Sequence, residues 1–233
     1  MITLGIDLSS SREGTAACVI EWGKSRVIVR EPQLRCDDDR LDHLIDDADV
    51  VGIDAPFGWP KAFVDAVAGW SEIEWSPEKR TQLQFRATDL FVREILGIWP
   101  LSVSTDRIAL PAMRVNALLT RYGVEDRSGD GEFYEVYPAA TLKSWGLPYR
   151  GYKLLDPNCR SLRLNIVREL CEKLAFLDVP STYAATSDAL DALIACLTAR
   201  LAFQKATFDP QGEHARSEGW IHFPRDGGFP GLA

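Results

Sequence analysis

Two apolar runs far apart in the chain, "ITLGID" at 2–7 and "VVGID" at 50–54, end in the same tripeptide, Gly-Ile-Asp. Each begins as a buried strand should, then places a carboxylate where another apolar residue is due, and such a group is costly without a partner. If the two runs are parallel neighbours, their carboxyl ends share one edge of a sheet, and so do Asp7 and Asp54. Ligand sites of open α/β sheets lie along that edge. The echo therefore predicts both a sheet and a site.

The rest of the chain supplies the sheet. Runs at 15–22 and 25–31, joined by short links, predict an antiparallel meander with the first strand. An acidic helix candidate at 38–48 puts Leu41, Leu44 and Ile45 on one face and leads into the fourth strand at 50–54. Three strands, a helix and a fourth strand predict a mixed α/β sheet. Residues 55–130 break the pattern with prolines, tryptophans and helix-like pieces at 61–68, 88–96 and 107–122, and read as a helical insertion over one edge. A fifth strand at 132–138, a helix at 158–175 and a long helix from Thr186 to Gln204 follow. The Gly- and Pro-rich tail, about 205–233, is expected to wrap the surface, with a short strand at "GWIHF". All 233 residues are expected to form one α/β domain around a five-stranded sheet flanked by helices.

Composition bounds the function. A net charge of −8 argues against nonspecific coating of nucleic acid, which rests on cations neutralising phosphates. It leaves room for a nuclease, because acids that hold metal ions contribute negative charge themselves. No apolar run approaches the roughly 18 residues needed to span a bilayer, so no membrane role is expected. A strand starting at Ile2 leaves no room for a signal peptide, which predicts a cytoplasmic protein. The five cysteines are scattered and never form C-x-x-C, so they read as reduced thiols. His43, His214 and His222 show no ligand spacing, and they read as structural or exposed.

Three more carboxylates join the candidate site. Glu135 on the fifth strand shares a face with Phe133 and Tyr137, and Asp188 and Asp191 share the first turn of the last helix. Two unit charges about 4 Å apart interact by about 4 kcal/mol at an effective dielectric near 20, so converging carboxylates need protons or cations. Hard divalent ions answer that need. Asp7, Asp54, Glu135, Asp188 and Asp191 are therefore the candidate catalytic and metal-binding residues, with Mg²⁺ or Mn²⁺ as cofactor. Ser9, Ser10, Arg86 and Lys153 are the candidate substrate contacts.

Each candidate has a plainer reading. Asp7 and Asp54 suit turns, Asp188 and Asp191 suit the acidic start of a helix, and Glu135 suits a pair with an arginine. Arg86, Asp89 and Arg93 suit a phosphate clamp, but a solvated Asp89–Arg93 pair is favoured. Lys153, Arg160 and Arg163 either line a groove or cover a helix. Trp59, Trp70, Trp75 and Trp99 suit base stacking, with packing of a small subdomain favoured.

The order of elements, the strand-terminal Asp7 and Asp54 and the Asp-x-x-Asp opening of the last helix resemble the ribonuclease H-like fold. Holliday-junction resolvases of the RuvC type carry acids on the first and fourth strands and paired acids on the last helix. A closer resemblance is to the family labelled domain of unknown function 429, described as predicted ribonuclease H-like nucleases. Its features are matched in "GIDLSSS", "GIDAPFGWP", "FRATDLFVRE", "YEVYPAA", "SDALDALIACLTA" and "EGWIHFP". Tyr137 departs from the pattern, since many members carry His two places after the strand-five Glu. The resemblance implies a metal-dependent nuclease or phosphodiesterase acting on a nucleic acid or nucleotide. Two alternatives remain: a phosphotransferase or ATPase of related core, whose "GIDLSSS" turn would hold phosphates, and a noncatalytic binding module.

Overall fold

A computed structural model describes residues 1–231 except 25, 70–74, 130, 155 and 175. Strand β1 (Ile2–Asp7) pairs antiparallel with β2 (Ala16–Trp22), which pairs with β3 (Val27–Val29) and, at its start, with β4 (Gln33–Leu34). Helix α1 (Asp38–Asp46), capped by the Asp37 carboxylate, returns the chain to β5 (Val50–Asp54), parallel to β1. Strands β6 (Phe133–Val136) and β7 (Ile221–His222) continue the sheet in parallel, in the order β3-β2-β1-β5-β6-β7. The expected five strands are thus seven. β7 lies in the "GWIHF" run, where a short strand is expected, and it joins the sheet beside β6, whereas the two-residue β4 is too short for alternation to announce it.

Between β5 and β6 the chain forms α2 (Lys61–Ala68), α3 (Arg80–Gln84), α4 (Ala87–Leu96) and α5 (Ala109–Arg121). After β6 come α6 (Pro138–Ser144), α7 (Pro157–Lys173), α8 (Ser187–Phe203) and α9 (Ala215–Glu218). Helix α6 starts where the fifth strand was expected to end. Pro138 occupies its first turn, where a missing N–H leaves no bond unmade.

Helices cover both faces of the sheet. On one, Leu4, Ile6, Val51, Ile53 and Phe133 pack against Leu41, Leu44 and Ile45 of α1 and Val115, Leu118 and Leu119 of α5. Part of the segment at 55–130 is therefore core rather than an edge cover. On the other face, Cys18, Ile20 and Trp22 pack against Ile166 and Leu170 of α7 and Leu190, Leu193 and Leu197 of α8. Helix α8 is buried from Ala189 to Ala202, which explains its apolar character all round. The tail enters the fold instead of wrapping it: Trp220, Ile221, His222 and Phe223 are all buried.

The Gly-Ile-Asp echo now has a mechanical meaning. A Cβ on Gly5 would collide with the Ala192 carbonyl of α8, and one on Gly52 with that of Ala195, so the glycines let the helix backbone lie directly on the sheet. The next residues, Ile6 and Ile53, turn to the α1/α5 core. Alternation then returns Asp7 and Asp54 to the α8 side, at the end where α8 begins.

Candidate functional site

A cavity of about 690 Å³ lies over the carboxyl ends of β1, β5 and β6. Its walls come from opposite faces of the sheet. Pro100, Leu101, Ile108 and Pro111 approach from the α5 side, and Tyr149–Lys153 with the first turn of α8 from the other. Asp7, Asp54, Glu135, Asp188 and Asp191 all line it, as do Ser9, Arg86 and Lys153. Ser10 does not; it lines a separate depression with Asp37, Asp38 and Arg114.

Asp7 and Asp54 are direct partners in the parallel β1–β5 register. Neither carboxylate receives a hydrogen bond among the described residues. Burial pushes the Asp7 carboxyl well above the usual range, the charges of Asp191, Asp54 and Asp188 add to this, and Lys153 opposes it. Asp54 is pushed up to about 7, again chiefly by burial, with Lys153 lowering it and Asp191 and Glu135 raising it. One ammonium thus stands against several carboxylates, and the pair is short of positive charge. Asp188, half-buried at the start of α8, accepts from the neighbouring Ser187 hydroxyl at 3.0 Å, its one side-chain hydrogen bond among the described residues.

Asp191 is different. It is 1 % exposed, and both its oxygens are engaged: the Tyr152 hydroxyl donates to Oδ1 at 2.8 Å, and the Lys153 ammonium lies 2.7 Å from Oδ2. Desolvation works against the Lys153 charge, but Asp191, Tyr152, Asp54 and Asp7 hold the ammonium well above its ordinary pKa. The loop carrying it is tied down by Arg163, which neither lines a groove nor covers a helix. Arg163 is buried and donates to the carbonyls of Tyr152 (2.6 Å), Ala184 (3.0 Å) and Ala185 (3.1 Å), joining the loop to the lead-in of α8.

Glu135 belongs to a second cluster. It pairs in register with Ile53, so it projects to the face opposite Asp54. There Arg86 meets it bidentately at 2.7 and 2.8 Å, and the Phe57 N–H donates at 2.9 Å. Arg86 also donates to Asp89, at 3.0 and 3.2 Å, and to the Glu218 carbonyl at 3.0 Å, so all five of its N–H groups have protein acceptors. None is left for a phosphate. Burial opposes its charge, yet Asp89 and Glu135 hold Arg86 firmly protonated. Asp89 turns inward to Arg86 and is fully buried, so it forms no solvated pair with Arg93. The Glu218 carboxylate accepts from the N–H groups of Lys61 (2.7 Å) and Ala87 (3.2 Å), at the starts of α2 and α4. Gly219, at φ +88°, lets the tail pass where a Cβ would press on Glu135 and Arg86.

The family model described as "Protein of unknown function (DUF429)" matches residues 5–213, a span that contains every acid named above except Glu218. The chain belongs to the DUF429 family. Comparison with curated proteins and with solved structures finds no match.

In this DUF429 chain the residues fit a hard divalent cation at Asp7 and Asp54. Mg²⁺ is held by one or two carboxylates while keeping several waters, and two desolvated carboxylates without partners supply that donor set. Among the described residues no three His, Cys, Asp or Glu side chains gather closely enough to enclose an ion, so coordination would be open. No histidine lines the cavity among the described residues. His222 is buried, bonded at Nδ1 to the Thr207 hydroxyl and at Nε2 to the Ser128 carbonyl, and burial lowers its pKa to about 4. Tyr137 lines the cavity, its phenol raised by burial and then by Asp54. Trp99 packs against Phe85 with ring centroids 4.8 Å apart and Trp75 is exposed, while Trp70 lies outside the described residues. Sequence reasoning missed Tyr152 and the linking role of Arg163. A Tyr-Lys pair in an irregular loop carries no periodic signal, and only the fold brings it to α8.

Proposed function

We propose that this DUF429 protein is a metal-dependent phosphodiesterase of ribonuclease H-like architecture that hydrolyses phosphodiester bonds in nucleic acid. One observation carries the reading: Asp7 and Asp54 stand in register at the ends of adjacent parallel strands, short of positive charge, beside the acids that open α8. The antiparallel β1–β2–β3 meander with β5 and β6 added in parallel supports the architecture. Asp7 and Asp54 would hold the ion. Bound there, a divalent metal supplies Lewis-acid stabilisation of phosphoryl oxygens and acidifies water. In this reading Asp188 would orient an attacking water, Lys153 would meet a phosphate oxygen and the Pro100–Pro111 wall would limit bulk water, all of them residues that line the cavity.

The phosphotransferase alternative has less support. Its phosphate turn would use Ser9 and Ser10 together, yet Ser9 lines the main cavity while Ser10 lines a separate depression in which Asp37, Asp38 and Asp39 outnumber Arg12 and Arg114. The test is hydrolysis of single-stranded, duplex and hybrid nucleic acids with and without Mn²⁺, for the native chain and Asp7→Asn. Cleavage that requires Mn²⁺ and falls at least about 100-fold in the variant is expected. Activity indifferent to the metal or to Asp7 overturns the reading.

A further inference from the structure

The acids at the cleft are not equivalent. Asp7 and Asp54 have no hydrogen-bond partner among the described residues, whereas Asp191, one helical turn into α8, is closed by the Tyr152 hydroxyl on one oxygen and the Lys153 ammonium on the other. That closure is built rather than incidental. Arg163 anchors the backbone of the Tyr152 turn to the residues just before α8 through three carbonyls, and the Cys159 thiol donates to the Gly151 carbonyl at 2.9 Å. The segment that delivers Lys153 is thereby fixed to the same helix start that delivers Asp191.

We infer that Lys153 is the built-in second cation of this site: it keeps Asp191 from binding metal, so that the cleft takes one divalent ion instead of two. The inference rests on the phosphodiesterase reading and assigns the charge that a second ion would otherwise bring. A dinuclear site places two ions a few ångströms apart to stabilise the attacking and the leaving oxygens. Here Lys153 lines the same cavity as Asp7 and Asp54 and holds Asp191 at 2.7 Å. Its side chain is half exposed, and an ammonium has three N–H donors, so pairing with Asp191 leaves donors for a phosphate oxygen. An ammonium also needs no loading, which makes one third of the positive charge independent of metal supply. Tyr152 completes the device by occupying the Asp191 oxygen that Lys153 leaves open.

Calorimetric titration of the full chain with Mn²⁺ tests this directly, with melting temperatures confirming that each variant folds. The native chain is expected to bind one ion, and Asp54→Asn none. Lys153→Met, which keeps the stem and removes the charge, is expected to bind two, and Lys153→Gln serves as a second neutral variant. Adding Asp191→Asn to Lys153→Met returns the count to one. With saturating Mn²⁺, the Lys153→Met/Asp191→Asn chain, which has neither the ammonium nor a second ion, lowers kcat about 100-fold, as loss of a transition-state charge contact does, whereas Lys153→Met alone, whose second ion replaces the charge, loses far less. Two ions in the native chain, or one in both neutral variants, overturn the inference and leave the phosphodiesterase reading standing. No ion at all in the native chain overturns that reading and the inference with it.

Discussion

The two faces of one sheet edge carry acidic clusters of similar composition and opposite condition. On the α1/α5 side, Glu135 and Asp89 surround Arg86, whose five N–H groups are all engaged, and Glu218 caps two helix starts beside them. On the α8 side, Asp7, Asp54 and Asp191 share Lys153, and Asp188 adds its charge beside Asp7. The first cluster is closed and needs nothing from outside. The second is short of positive charge, which is why the proposed ion and substrate are assigned to it. Carboxylate count alone separates nothing; the difference lies in whether a fixed cation has already satisfied the geometry.

The largest effect that can break this contrast comes from the closed cluster. Arg86→Met removes the charge that Glu135 and Asp89 face at 3 % and 0 % exposure. Stranding buried carboxylates costs about 3–5 kcal/mol, which in a chain of this size lowers the melting temperature by roughly 10 °C. The Lys61 and Ala87 caps and the tail at Gly219 converge on the same point, so early proteolysis within 55–130 should accompany the loss. A melting temperature within about 2 °C of the native value would show that Arg86 is dispensable and the contrast unreal.

The open cluster should respond with the opposite sign. Asp54 has a folded-state pKa of about 7, above its ordinary value near 4, so the folded chain binds its proton more tightly than the unfolded chain. Its contribution to stability is fully present below pH ~4 and is lost as the pH rises through about 7. Asp54→Asn, which is neutral throughout, should therefore stabilise the metal-free protein at pH 8 by about 2 kcal/mol, the figure being reduced because the carboxylate meets the cavity. The gain should vanish near pH 4, and hydrolysis should be lost at every pH. Chemical denaturation at pH 4, 6 and 8 reads the slope. A variant that is less stable at pH 8 would mean that Asp54 is already satisfied.

How much of this was legible depended on whether the signal was local. Identical tripeptides on two apolar runs gave the Asp7–Asp54 pairing, and the Asp-x-x-Asp spacing placed Asp188 and Asp191 together, because strand and helix periods act over a few residues. What could not be read was partnership across the chain. Glu135 and Arg86 are 49 positions apart, and which of the two faces Glu135 takes is set by register with Ile53, which alternation within β6 leaves undetermined. Asp191 meets Tyr152 from 39 positions away through a loop without periodicity. The tail misled for a related reason. Gly and Pro suggested a surface wrap, and although the short strand at "GWIHF" was legible, its pairing with β6 and the burial of Trp220 and Phe223 against α4 rest on contacts that no local pattern encodes.

The smallest expected effect sharpens the contrast most finely. Tyr152→Phe removes the hydroxyl that donates to Asp191 Oδ1 and leaves Lys153 on Oδ2. Burial and the charge of Asp191 push the Tyr152 phenol well above its usual pKa, so the native hydroxyl is a neutral donor throughout the working range, and its loss forfeits one hydrogen bond and no charge. About 1 kcal/mol of stability should go. If Asp191 is kept from metal by the Lys153 charge, the variant still binds one Mn²⁺, because freeing one oxygen next to a fixed ammonium does not make room for a dication. If the hydroxyl itself were the barrier, Tyr152→Phe would gain a second ion and Lys153→Met, which keeps the hydroxyl, would not. Titrating the two variants side by side thus separates hydrogen bonding from charge as the property that divides the acids of this cleft.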